Sequence, residues 1–118
     1  ADRNQIRQVL INLLMNSLQA VSRGGRINVS ALSRGRMAEI IVADDGSGIA
    51  PEDLDRIFDP FFTRRPDGTG LGLYVSYQYT KENEGEIEVE SIVGAGTKVF
   101  LRLPMAFGLF PAAREEDS

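Results

Sequence analysis

The chain has 118 residues, 42% of them apolar and 25% charged, with a formal net charge of −4. This is the size and composition of one globular domain with its own core, and it offers neither an apolar run of membrane-spanning length nor a basic patch for nucleic acid. Cysteine and histidine are both absent, which excludes a disulfide framework, thiolate chemistry and imidazole general-base catalysis, and fits a reducing, cytoplasmic setting.

Asp2 with Gln5 three residues on predicts a helix N-cap and its capping-box partner. Ile6, Val9, Leu10, Leu13, Leu14, Leu18 and Val21 follow at helical spacing, and the helix should end near Arg23 before Gly24-Gly25. At ~100° per residue, Gln5, Gln8, Asn12, Asn16 and Gln19 fall in a sector roughly 80° wide beside the apolar face. An isolated asparagine there reads as a solvated or helix-packing residue. Two of them one turn apart, among further amides, shift the reading towards a stripe that faces a ligand.

Ile27, Val29 and Ala31 alternate with polar residues. Arg34-Gly35-Arg36 then turns the chain into Glu39-Ile40-Ile41-Val42-Ala43, a hairpin whose second strand is the more deeply buried. Asp44 falls where that strand ends. Residues 51–58 form a short helix with Pro51 at its first position. From Asp59 to Gly70 prolines, glycines and charges predict a loop long enough to serve as a lid, its segment from Pro60 to Gly70 mobile until a phosphate gives it a partner. A second long helix runs from Leu71 to about Glu82 and is broken by Asn83 to Gly85. Glu86–Ser91 and Lys98–Leu103 alternate as two paired strands around Val93 to Thr97. Residues 1–104 therefore read as one domain, and 105–118 as a tail of apolar residues followed by acids.

Gly68-Thr69-Gly70-Leu71-Gly72-Leu73 puts three glycines at the mouth of the second helix. Bare N–H groups and the helix dipole there favour phosphate. No strand precedes it, so the dinucleotide-binding reading of such a string does not apply. Asp44-Asp45-Gly46-Ser47-Gly48-Ile49 by itself is a turn. In a nucleotide site Asp44 would be a fixed acceptor for an exocyclic amine, Gly46 and Gly48 would let the backbone approach a ring, and Ile49 would cover one face of it. Arg64 and Arg65 could contact phosphate or be a solvated lid surface. Asn16 carries an oxygen suited to magnesium.

These four signals in this order resemble the catalytic, ATP-binding domain of bacterial sensor histidine kinases, within the wider group of gyrase, heat-shock chaperone and mismatch-repair ATPases. Residues 10–17 resemble the family's N box, 44–48 its first glycine box, 58–62 its F box and 68–73 its second glycine box, so the likeness runs from about Asp2 to Pro104. It implies a Bergerat-type two-layer α/β sandwich, a mixed sheet with helices on one face and an ATP lid, truncated at its N-terminus. It implies Mg2+ at Asn16, the adenine amine at Asp44, Thr97 bonded through water near Asp44, and Arg65 at phosphate. Catalytic roles fall to Asn12, Asn16 and Arg65. Gln19, Gly46, Gly48, Ile49, Phe58, Arg64 and the whole run from Gly68 to Leu73 complete the expected nucleotide contacts.

Ser17 and Ser47 replace the family's usual alanine and proline, and Asn83-Glu84-Gly85 stands where His-Gly-Gly is common. The family's upstream strands and its dimerising helical domain, which carries the phosphoacceptor histidine, are not in the sequence, so it reads as an excised piece. The function implied is γ-phosphoryl transfer from ATP, leaving ADP, to a histidine on that helical domain and from there to a response regulator, with no nucleic-acid or membrane contact by this part. An ATPase, an anti-sigma-type serine kinase and a degenerate nucleotide-binding scaffold are the alternatives. Asn12 separates the first of these, because hydrolytic relatives typically have a water-activating glutamate there and an amide cannot take that proton.

Overall fold

The computed structural model describes residues 2–63 and 70–104. Helix α1 (Arg3–Ala20) lies alongside α3 (Gly72–Glu82), and between them in sequence α2 (Pro51–Leu54) makes a single turn with proline at its start. The expected helix over 51–58 is this short because the chain passes after Leu54 into successive tight turns, Arg56 N–H donating to Asp53 O and Asp59 N–H to Arg56 O. α1 stops before the expected end near Arg23. Val21 is already extended, and Asp45 binds the Arg26 backbone on both sides, through its carboxylate and its own N–H, which draws the chain out of the helix to start the sheet.

The strands are β1 (Ile27–Arg34), β2 (Met37–Asp44), β3 (Glu86–Ile92) and β4 (Gly96–Pro104), in the order β1-β2-β4-β3. Every pairing is antiparallel, where a mixed sheet was expected. β4 is the return arm of its own hairpin with β3, and it meets β2 running the opposite way, so no parallel neighbour arises among these four strands.

Strand alternation assigns whole rows of residues to one face. Ala31, Ile40, Leu101 and Ile87 are cross-strand partners, and so are Val29, Val42, Val99 and Val89. Ile40, Val42, Ile87, Val99 and Leu101 are buried with Ile6, Val9 and Leu13 of α1. At roughly 1.5–3 kcal/mol for each large apolar side chain removed from water, this layer is the main source of stability. One step further along the same face the row becomes Ile27, Asp44, Thr97 and Ser91. The core thus runs directly into a polar edge.

Candidate functional site

Asp44 and Thr97 of that polar edge floor a cleft of about 350 Å³ between the sheet, the C-terminal half of α1, α2 and the start of α3. The volume lies within the range of small-molecule sites. Asp44 is placed by the end of β2 and fixed by two donors: Gly46 N–H reaches Oδ1 at 2.9 Å, and the Ser17 hydroxyl reaches Oδ2 at 3.0 Å. Thr97, its partner across the β2–β4 register, lies beside it. Ser91 Oγ sits 2.8 Å from Thr97 Oγ1 and accepts from Ile49 N–H at 2.7 Å. Gly94 N–H donates to Ser47 O, which clamps the β3–β4 turn onto the loop after Asp44.

The expected amide stripe on α1 divides in two. Gln5 accepts from Asn83 and donates to Glu82, and Gln8 donates to Asn12 Oδ1. Asn12 Nδ2 reaches Gly72 O at 3.1 Å and Ser76 Oγ at 3.2 Å. These three amides therefore lie on the α3 side, and Asn12 stands outside the cleft lining. Asn16 and Gln19, further along the helix, do line it.

Of the other expected contacts, Asp44, Gly48, Ile49, Leu73 and Thr97 line the cleft. Gly46 and Gly48 are required by packing within the chain. A Cβ on Gly46 would collide with the Ala20 carbonyl, and one on Gly48, which has φ +79°, would collide with the Ile92 carbonyl. Phe58 packs its ring on Tyr77, 5.4 Å between centroids, and Phe62 and Thr63 supply the cleft wall on that side. Gly70, Leu71 and Gly72 are not in the lining. Gly70 (φ +74°) abuts Phe61, whose N–H donates to the Gly70 carbonyl at 2.8 Å, and Phe61 itself holds φ +68°. A positive φ in a bulky residue stores strain, here at the base of the expected lid. Arg64, Arg65, Gly68 and Thr69 lie outside the described residues.

Several wall residues escaped the sequence reading. Val89 and Val99 are register partners whose alternation puts them on the inner face, and Leu13 and Ser17 are one helical turn apart on α1. Asp53, buried on α2, also lines the cleft, and no sequence signal separated it from the surrounding acidic residues.

Among the described residues no group of three or more His, Cys, Asp or Glu is arranged to hold a metal. Asn16 and Gln19 bring amide groups to the cleft lining, and magnesium, which keeps most of its water and shares the oxygens of a bound phosphate, asks less of a protein than a metal needing a cage of side chains.

A polar-floored cleft between an antiparallel sheet and a helix layer defines the class, and the histidine kinase-, DNA gyrase B- and HSP90-like ATPase family, to which this chain belongs, matches residues 1–106. The chain is similar to the sensor histidine kinase ZraS of Escherichia coli O157:H7, 42% identical over 105 residues that cover 89% of this chain and 23% of ZraS. It is also similar to the histidine protein kinase DivJ of Caulobacter vibrioides, at 41% identity over 96% of this chain and 20% of DivJ. It thus spans about a fifth to a quarter of these relatives. Among solved structures, the catalytic domain of histidine kinase ThkA superposes with a TM-score of 0.79 at 33% identity, over 88% of this chain and 68% of that one. Full-length ShkA in complex with AMPPNP superposes at 0.78 with 30% identity, over 88% and 22%. The sensor kinases share with this chain their ATP-binding catalytic part. No helix among the described residues is long and apolar enough to cross a membrane.

Proposed function

We propose that this chain binds Mg-ATP in the cleft and donates the γ-phosphoryl group to a histidine on a separate helical domain, of the same or a sister chain, in two-component signalling. The observation that carries the reading is the Asp44 carboxylate, held at the cleft floor by Gly46 N–H and Ser17 Oγ. An ionised carboxylate is an acceptor only, so it receives the adenine amine and repels the carbonyl that guanine has at that position. Ile49 and Leu73 give the ring apolar walls. Asn16 would hold magnesium, which when bound neutralises phosphate charge. The similar ShkA was solved with AMPPNP, which supports a nucleotide here.

The chain contains no histidine, so the acceptor comes from elsewhere. With an amide at Asn12, already committed to Gly72, Ser76 and Gln8, no carboxylate stands there to activate water. Transfer then rests on positioning an acceptor in line with the γ-phosphate. Arg65 at phosphate belongs to this proposal as well.

Mixing the chain with the parent's phosphoacceptor domain and γ-labelled ATP should label that domain with an acid-labile, base-stable phosphate. The label should disappear in Asn16→Ala. Brisk phosphate release by the chain alone, or label on serine, would overturn the histidine reading.

A further inference from the structure

We propose that Ser91, which has no cleft contact of its own, is a specificity-determining positioning residue: it consumes the hydroxyl proton of Thr97, so that Thr97 presents only lone pairs to the base. The inference rests on the adenine-binding reading of the cleft and deepens it. A serine hydroxyl has one proton and two lone pairs. Ser91 Oγ has three neighbours: Ile49 N at 2.7 Å, Gly96 O at 2.9 Å and Thr97 Oγ1 at 2.8 Å. Ile49 N–H can only donate, which takes one lone pair. The Gly96 carbonyl can only accept, which takes the proton. One lone pair remains for the third contact, so Thr97 is the donor in it.

Thr97 lines the cleft beside Asp44, whose two oxygens already accept from Ser17 and Gly46. With its proton directed away from the cleft, its oxygen is a second acceptor on the floor. The floor therefore carries Asp44 and Thr97 as acceptors and no free hydroxyl donor from this pair. A 6-amino purine brings two N–H donors directly to such a floor. A 6-oxo purine brings a carbonyl that meets acceptors on both sides, and a buried polar group left unpaired is what makes such discrimination large.

Removing Ser91 releases the Thr97 proton, which can then turn into the cleft and donate to a 6-oxo group. It also leaves Ile49 N–H and Gly96 O without their partner, a structural cost that falls on every nucleotide alike. Selectivity separates the two effects.

The test is to titrate ATP and inosine triphosphate into the wild-type chain, Ser91→Ala, Thr97→Val and the double variant, with a thermal melt of each to confirm folding. Ser91→Ala should lower the ATP-to-inosine-triphosphate affinity ratio by roughly 3- to 10-fold, the reach of one hydrogen bond. It should leave that ratio unchanged in the Thr97→Val background. Equal weakening of both nucleotides by Ser91→Ala, or the same fall in ratio without the Thr97 hydroxyl, would overturn the proposal while sparing the adenine reading. A wild-type chain that binds both nucleotides equally would overturn both. If Ser91→Ala does not fold, Thr97→Val decides alone, because a ratio equal to that of the wild type would mean that Thr97 reads nothing.

Discussion

Asp44 has both oxygens engaged within the chain, and Ser17, one of the two donors, stands where the resemblance leads one to expect alanine. Its hydroxyl is buried and bridges α1 to the end of β2. Ser17→Ala should therefore weaken ATP binding by about 0.5–1.5 kcal/mol, the net worth of one hydrogen bond, without unfolding the chain. Asp44→Ala should cost more, about 1–3 kcal/mol, since the amine then enters a buried site with no partner. Calorimetric titration checks both, and a Ser17→Ala variant weaker than Asp44→Ala would reverse their assigned order. Asp44 was legible in the sequence because a buried strand ran straight into it. Ser17 was not, because its partner is 27 residues away and only the packing of α1 on β2 brings them together. The amide stripe was half legible: its angular position was read correctly, but nothing in the spacing told that α3 and its C-cap would take Gln5 and Asn12, with Gln8 bonded to Asn12, and leave Asn16 and Gln19 to the cleft.

Helices α1 and α3 are latched end to end. The Asn83 side chain accepts from Asp2 N–H at 2.8 Å, completing in space the capping box that Gln5 does not close, and donates to Gln5 and to Tyr79 O. The next residue, Glu84, takes φ +61° so that Gly85 N–H can return to Thr80 O. That left-handed turn costs an L residue roughly 1–2 kcal/mol and glycine almost nothing, although glycine loses more freedom on folding. Glu84→Gly should accordingly stabilise the chain by about 0.5–1 kcal/mol, read as a higher urea midpoint with an unchanged slope. A lower midpoint would show that the Glu84 side chain contributes more than its backbone costs. Elements of this kind were mostly visible beforehand, because helical and two-residue periods are local properties. Strand order, the purely antiparallel pairing and the packing role of Gly46 and Gly48 were not, because each depends on which distant backbone arrives alongside.

Across the whole molecule, the sheet face turned away from the helices is held by ions. Arg102 Nε bonds Glu39 at 2.8 Å and its Nη1 bonds Glu88 at 2.7 Å, and Arg34 reaches the other Glu39 oxygen at 3.1 Å. Glu39 is only 2% exposed. The hydrogen bonds that Arg102 donates, to Glu88 first and Glu39 second, hold its pKa above its ordinary value. A raised pKa in a base means that this stabilisation is fully present below the ordinary arginine value and is lost only as pH climbs through the raised one. Between about pH 6 and about 9, Arg102 should therefore add no slope to stability. Arg102→Met should cost about 1–3 kcal/mol by leaving Glu39 to the exposed Arg34, and adding Glu39→Met should recover most of it. Denaturation of the two variants measures this, and a double variant no better than the single would mean that the pair is worth more than its desolvation.

On the opposite side, the tie between Phe61 N–H and the Gly70 carbonyl pins the two ends of the connection between them. Both ends leave from one fixed point, so residues can be gained or lost beyond the wall residues Phe62 and Thr63 at about 0.6 kcal/mol per doubling of length, while the floor of the cleft keeps its place. The length of that connection is thus a dimension along which this domain can diverge, or accept an inserted reporter, without renegotiating its fold.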